Sequence, residues 1–155
     1  MPKTKLMKKG NTMVGSNLRT LNTLTFIGQS ENLKAMDRKP LYCDIWMCKL
    51  EGQSGSSIQS GYRPVLVISN DKNNLHSPLV NVIPLTSKGN KRGLPVHVDL
   101  NRYDDYGLSM PSTVLCEQVT SIPAKNLDRY IGNIFDEVTR ARIKRALEIQ
   151  FSFIY

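Results

Sequence analysis

Arg63 stands immediately before Pro64 and an uninterrupted apolar run, Val65-Leu66-Val67-Ile68. A guanidinium is permanently charged and offers paired planar donors, and the residue before a proline is held extended. Such an arginine suits an anion clamp at the mouth of a buried strand; the plainer reading is a solvated surface arginine. Thr86 closes a second apolar run, Val82-Ile83-Pro84-Leu85, and opens into the basic stretch Ser87-Lys88-Gly89-Asn90-Lys91-Arg92-Gly93. The hydroxyls of Thr86 and Ser87 could meet a ligand or satisfy a local backbone group. Lys88, Lys91 and Arg92 suit contacts to a polyanion backbone, or simply a solvated turn. Histidine is the side-chain type suited to proton transfer near neutral pH, which makes His97 a base candidate. Its place on an alternating segment, Val96-His97-Val98-Asp99, also fits a half-exposed structural residue.

Several chemistries lose their support. His76 and His97 have no His or Cys partners at ligand spacing, so no zinc site is expected, and no cofactor or metal is implied. Phosphate-loop and Gly-x-Ser-x-Gly signatures are missing. Cys43, Cys48 and Cys116 are odd in number with no C-x-x-C pair, and read as reduced, buried thiols rather than a nucleophile. No apolar run spans a bilayer and no secretory core follows the N-terminal lysines, so no membrane partner and a cytoplasmic location are expected. The net charge of +8 is uneven. Residues 1–39 hold eight Lys/Arg against Glu31 and Asp37, whereas residues 40–155 are only slightly basic. The overall charge therefore says little about a polyanion partner for the domain itself.

These residues need elements to position them. Residues 1–39, rich in Lys, Asn, Thr and Ser, read as a basic, flexible extension, and residues 40–155 as one domain. Strands are expected at 41–50, 63–70, 79–85, 94–100 and 113–122. Pro84 argues for an edge or a bulge at its point. Residues 51–61 form a Gly/Ser/Gln loop too long for a tight hairpin. A short turn or helix is expected at 125–129, and a final helix over 136–153 with Ile143, Ala146, Leu147, Phe151 and Ile154 on one face. Short strands closed by one helix predict a mainly β, strongly bent antiparallel barrel.

Taken in order, these segments resemble the MazF/PemK toxin family. Gln59-Ser60-Gly61-Tyr62-Arg63-Pro64-Val65-Leu66-Val67-Ile68-Ser69-Asn70-Asp71 is similar to its G-S-E-Q-G-G-x-R-P-V-L-V-x-S-N-D stretch. His76-Ser77-Pro78, Ile83-Pro84-Leu85-Thr86-Ser87, Leu94-Pro95-Val96-His97-Val98, Ser112-Thr113-Val114-Leu115-Cys116-Glu117-Gln118, Ile131-Gly132, Asp136-Glu137 and Ala146-Leu147 follow in the family's order. Three places depart from it. Tyr42-Cys43-Asp44 replaces the usual Arg-Gly-Asp, Ile58 and Ser60 replace a Glu and a Gly in the first loop, and Leu115 stands where some members have arginine.

The resemblance implies an SH3-like barrel of the CcdB/PemK type with a C-terminal helix, acting as a homodimer. It implies a sequence-selective, metal-independent endoribonuclease toxin that cuts single-stranded RNA. A cognate antitoxin with an acidic flexible segment would neutralise it, and operator DNA would be met only through that antitoxin complex. Arg63 and Thr86 are the implied catalytic pair. Gln59, Ser87, Lys88, Lys91, Arg92, His97, Glu117 and Gln118 are the implied substrate contacts. Glu117 could transfer a proton if desolvated, or hold Arg63 by an ion pair. The alternative is a non-catalytic, CcdB-like module that binds RNA or inhibits gyrase.

Overall fold

A computed structural model describes residues 38–89 and 93–152. The basic extension up to residue 37, Lys91, Arg92 and Ile154 lie outside the described residues. Seven strands and two helices follow one another: β1 (Asp44–Leu50), β2 (Gly61–Val67), α1 (Asp71–His76), β3 (Leu79–Thr86), β4 (His97–Leu100), β5 (Ser112–Leu115), β6 (Thr120–Pro123), β7 (Leu127–Asn133) and α2 (Glu137–Gln150). The strands pair antiparallel in the order β4-β5-β3-β2-β1-β7, with β6 added to β3. The fold is the mainly β architecture with a C-terminal helix that the sequence predicts.

Side chains alternate across a strand, so a fully apolar run requires a core on each face. Val65 and Val67 enter one cluster with Trp46, Cys48, Val80, Val82 and Ile122. Leu66, between them, enters the other with Ile45, Ile83, Leu85, Val98, Tyr106 and Ile143. The continuous hydrophobicity of the Arg63-Pro64 strand is thus accounted for residue by residue.

Pro84 sits neither on an edge strand nor in a bulge of the β2 pairing, where it lies opposite Val65. The other side of β3 changes partner here. Residues Leu79–Val82 pair with β6, and Leu85 and Thr86 pair with β5. Ile83 and Pro84 fall in the fork between the two partners, where a missing N–H breaks no ladder bond.

Three expected elements change. The single strand over 113–122 is two strands, β5 and β6, separated by a 3-10 turn at Cys116–Gln118. The helix or turn over 125–129 is a 3-10 turn at Ala124–Asn126 followed by β7, which joins β1 through two register shifts. Gly132 on β7 lets the segment between β4 and β5 approach: a Cβ there would lie 2.1 Å from the Tyr106 carbonyl oxygen. The short helix α1 is additional. It begins at Asn70, whose side chain accepts from the Asn73 amide at 2.9 Å.

The terminal helix starts and ends inside its expected bounds. Asp136 is its N-cap and accepts from the Thr139 amide at 2.8 Å, while Tyr106 donates its hydroxyl to the other carboxylate oxygen. Thr139, Ile143 and Ala146 are buried at helical spacing, with Leu147 packed beside them. Phe151 lies past the last helical residue and is 49% exposed, so it does not share the buried face.

The Tyr106 hydroxyl, with the Thr139 amide, holds the Asp136 carboxyl below the usual carboxylate range. A lowered folded pKa gives stability that is present above about pH 4 and is lost as pH falls through the folded value. Asp136→Ala should therefore cost about 1 kcal/mol at neutral pH. That gap should narrow near pH 3, as read by denaturant unfolding at both pH values. An equal gap at both would contradict the cap assignment.

Candidate RNA-processing site

Arg63 occupies the third position of β2, half-buried, with its neighbour Pro64 leading into the double-sided core. Its Nε donates to the Ser60 carbonyl at 2.8 Å, one Nη also reaches that oxygen, and the other donates to Gln59 Oε1. These bonds close the chain back on itself across Gly61, whose φ of 81° is a left-handed conformation natural to glycine. A guanidinium has five N–H groups and three are engaged here, which leaves two for an anion. Burial pushes the Arg63 pKa down from its usual value.

The β2–β3 register pairs Val65 with Pro84, Leu66 with Ile83 and Val67 with Val82. The paired ladder itself ends at Val65 and Pro84, so Arg63 and Thr86, the last residue of β3, lie just beyond its end, on neighbouring strands. The Thr86 hydroxyl accepts from the Lys88 amide at 3.3 Å, so the turn that follows folds back onto it. Ser87 is exposed and lies apart, lining a small hollow with Asp99 and Tyr103.

Gln59, Glu117 and Gln118 line one groove of about 580 Å³, together with Lys49, Pro84 and Ile122. The 3-10 turn after β5 presents Glu117 and Gln118 to it. Gln118 Oε1 accepts from the Gln59 amide at 2.8 Å, and its Nε2 donates to the Ser57 carbonyl at 3.2 Å. His97, at the start of β4, approaches Glu117 Oε1 through Nε2 at 2.9 Å. The expected ion pair between Glu117 and Arg63 is not formed: Glu117 pairs with His97, and Arg63 is held by Gln59 and Ser60 instead. Lys49, a groove-wall cation, and the Ser60 carbonyl escaped the sequence reading. Lys49 lies on a strand with no charge pattern to single it out, and a backbone acceptor carries no residue signature.

Other chemistries find no geometry among the described residues. No group of three His, Cys, Asp or Glu side chains gathers at metal-binding distance. Cys43, Cys48 and Cys116 are free and buried. Burial raises all three thiols, Cys116 to about 12, so none is a ready thiolate. No helix among these residues is long and apolar enough to cross a membrane.

Residues 42–151 match the family described as PemK-like, MazF-like toxin of type II toxin–antitoxin system. Endoribonuclease EndoA of Bacillus subtilis is 35% identical over 111 residues, covering 72% of this chain and 93% of the relative. The solved structure of Mycobacterium tuberculosis toxin MazF-mt6 superposes with a TM-score of 0.59 at 26% identity, covering 72% of this chain and 99% of that one. A MazF from Deinococcus radiodurans shares the fold, with a TM-score of 0.62 at 22% identity over 75% of this chain and 99% of its own. The family match spans the barrel from its first strand to the end of α2, and it takes in the Arg63 strand, the Thr86 strand and the Glu117-Gln118 turn. The chain belongs to the MazF/PemK toxins of type II toxin–antitoxin systems.

Proposed function

We propose that this toxin is a metal-independent endoribonuclease that cuts single-stranded RNA, messenger RNA included, within short recognition sequences. The observation that carries the reading is the Arg63 guanidinium held by Gln59 and Ser60 with two N–H groups uncommitted, its Gln59 partner also lining a groove with Glu117 and Gln118. Endoribonuclease EndoA, over a third identical, bears the same activity in its name.

The chemistry is internal transfer. The ribose 2′-oxygen attacks the adjacent phosphorus as it loses its proton, the bond to the 5′-oxygen breaks, and that oxygen takes up a proton. The products are a 2′,3′-cyclic phosphate and a 5′-hydroxyl. Negative charge builds on the non-bridging oxygens of the pentavalent intermediate, and the two uncommitted Arg63 N–H groups suit those oxygens. The Thr86 hydroxyl holds the same phosphate in line. Gln59, Gln118 and Glu117 offer amide and carboxylate edges for unstacked bases, and Lys88, Lys91 and Arg92 supply backbone contacts.

The protein works in the cytoplasm as a homodimer, and an antitoxin with an acidic flexible segment covers the cationic site. Two proteins of this fold were solved as toxin–antitoxin assemblies: an endoribonuclease with its cognate antitoxin from a mycobacterial species, and MazE-MazF from Deinococcus radiodurans. Contact with operator DNA comes only through such an assembly.

Incubation with a long single-stranded RNA in excess EDTA tests the reading. Discrete cuts with cyclic-phosphate and 5′-hydroxyl ends are expected, in a pattern that repeats at one short sequence. Intact RNA after exposure to the folded dimer would overturn the nuclease and favour a non-catalytic binding module.

A further inference from the structure

A chain of polar contacts runs from His97, at the start of β4, to Arg63. His97 Nε2 meets Glu117 Oε1 at 2.9 Å, and the same oxygen takes Gln118 Nε2 at 3.5 Å, the longest link. Gln118 Oε1 accepts from the Gln59 amide at 2.8 Å, and Gln59 Oε1 accepts from Arg63. Five residues from β4, the turn after β5, the first loop and β2 are thereby joined, with the step from Gln118 to Gln59 made through the Gln59 backbone N–H.

We propose that His97 is a positioning residue for Arg63, acting through Glu117, Gln118 and Gln59. The proposal rests on the reading of Arg63 as the phosphate clamp. Three observations support it beyond the distances. Residues 51–58 of the first loop are all exposed, and the hydrogen bonds that tie this loop to an element distant in the chain both come to Gln118. The loop in turn carries both acceptors of Arg63, Gln59 Oε1 and the Ser60 carbonyl. The orientation of the Gln118 amide therefore decides where the Arg63 fork is held. The Gln59 N–H and the Ser57 carbonyl set which way that amide faces, and Glu117 supports the same orientation from the side, since a carboxylate oxygen only accepts and meets the amide's NH2 end.

The His97–Glu117 pair is also poorly satisfied for a purely structural contact. His97 Nδ1 and Glu117 Oε2 are both buried without a hydrogen-bond partner among the described residues. A buried polar group left unpaired is costly, and an apolar pair of similar size would stabilise the barrel better. The pair is explained if its work is to orient Gln118. With one proton on the imidazole, the Glu117 contact assigns that proton to Nε2 and leaves Nδ1 a lone pair. Held hydrogen-bond networks of this kind restrict a reacting group to one geometry, and small misplacements of such a group are expensive in rate.

Steady-state cleavage of a short single-stranded RNA carrying the mapped cut sequence tests this, in EDTA, with wild type, His97→Leu, His97→Gln, Gln118→Ala and the His97→Leu/Gln118→Ala double variant. His97→Leu should lower kcat by roughly 10-fold while KM stays within about twofold, because binding by many phosphate contacts is untouched. His97→Gln, which puts an amide N–H near the Nε2 position, should restore most of that loss. Once Gln118→Ala has cut the chain, adding His97→Leu should change kcat no further.

Unchanged kcat in a folded His97→Leu protein would overturn the proposal, and so would independent, multiplicative losses in the double variant. A rise in KM at constant kcat would overturn it in favour of direct contact between His97 and RNA. Should His97→Leu fail to fold, Gln118→Ala breaks the chain at its middle and is read by the same kcat and KM criteria. If wild type cuts and Arg63→Ala does not, while His97→Leu is normal, only the positioning role falls. If folded wild type cuts no RNA, the nuclease reading falls and this role with it.

Discussion

Arg63→Ala should lose RNA cleavage by a factor of roughly 10² to 10³ or more, with the barrel intact. The rate loss follows from removing a charged donor fork aimed at a phosphate whose charge grows in the transition state. The stability cost should be small. Arg63 is half-buried, its partners are an exposed carbonyl and a loop side chain, and no other charge is left unpaired by its removal. A change within about 1 kcal/mol is expected for such a site. Arg63→Lys should recover little activity. A lysine ammonium is a point charge on a flexible stem, and it cannot bond Ser60 and Gln59 while presenting two parallel donors outward. Single-turnover cleavage in excess EDTA, with a thermal melt beside it, measures both halves. Full activity in folded Arg63→Ala would sink the clamp.

How much of this was legible in the sequence depends on how local each feature is. The Arg63 strand declared itself because Val65, Leu66 and Val67 need two cores, and the structure supplies both. The helix declared itself through the spacing of Ile143 and Ala146 after a capping aspartate. β7 did not. Leu127-Asp128-Arg129-Tyr130-Ile131-Gly132-Asn133 carries two exposed charges and a glycine, and its strand character comes from pairing with β1. The turn at Cys116–Gln118 was hidden because it interrupts an apolar segment without a glycine or proline. Propensity yields to tertiary pairing in both places.

The site shows the same division. Arg63 and Thr86 could be singled out from motifs within each strand, but that their strands are neighbours is known only from the β2–β3 pairing. Glu117 could be named as an acidic group near the site, yet its partner is chosen by the fold. His97 lies across the β4–β5 pairing, where it is set opposite Leu115, two residues before Glu117, and so comes within reach of the carboxylate. No spacing rule in the sequence links positions that a sheet brings together in this way.

A chain ending at Phe135 should fail to fold, because α2 covers the larger of the two cores. Ile143 and Ala146 are each 1% exposed and pack with Ile45, Leu85, Val98, Leu100, Tyr106 and Ile134. Without the helix those side chains face water, and Tyr106 loses both Asp136 and Thr139 as partners for its hydroxyl. Removing the Ile143 side chain alone should cost about 2–5 kcal/mol as Ile143→Ala. Total stabilities of small domains are about 5–15 kcal/mol, so loss of the whole face exceeds what the barrel can spare. The truncated chain should lose its near-ultraviolet circular dichroism and cooperative melt while binding a hydrophobic dye. Ile143→Ala should keep both signals, with a lowered melting temperature that separates a cavity from a missing wall. A truncated chain that remained folded and monomeric would show that the strands close their own core, and would leave α2 free for a role between protomers.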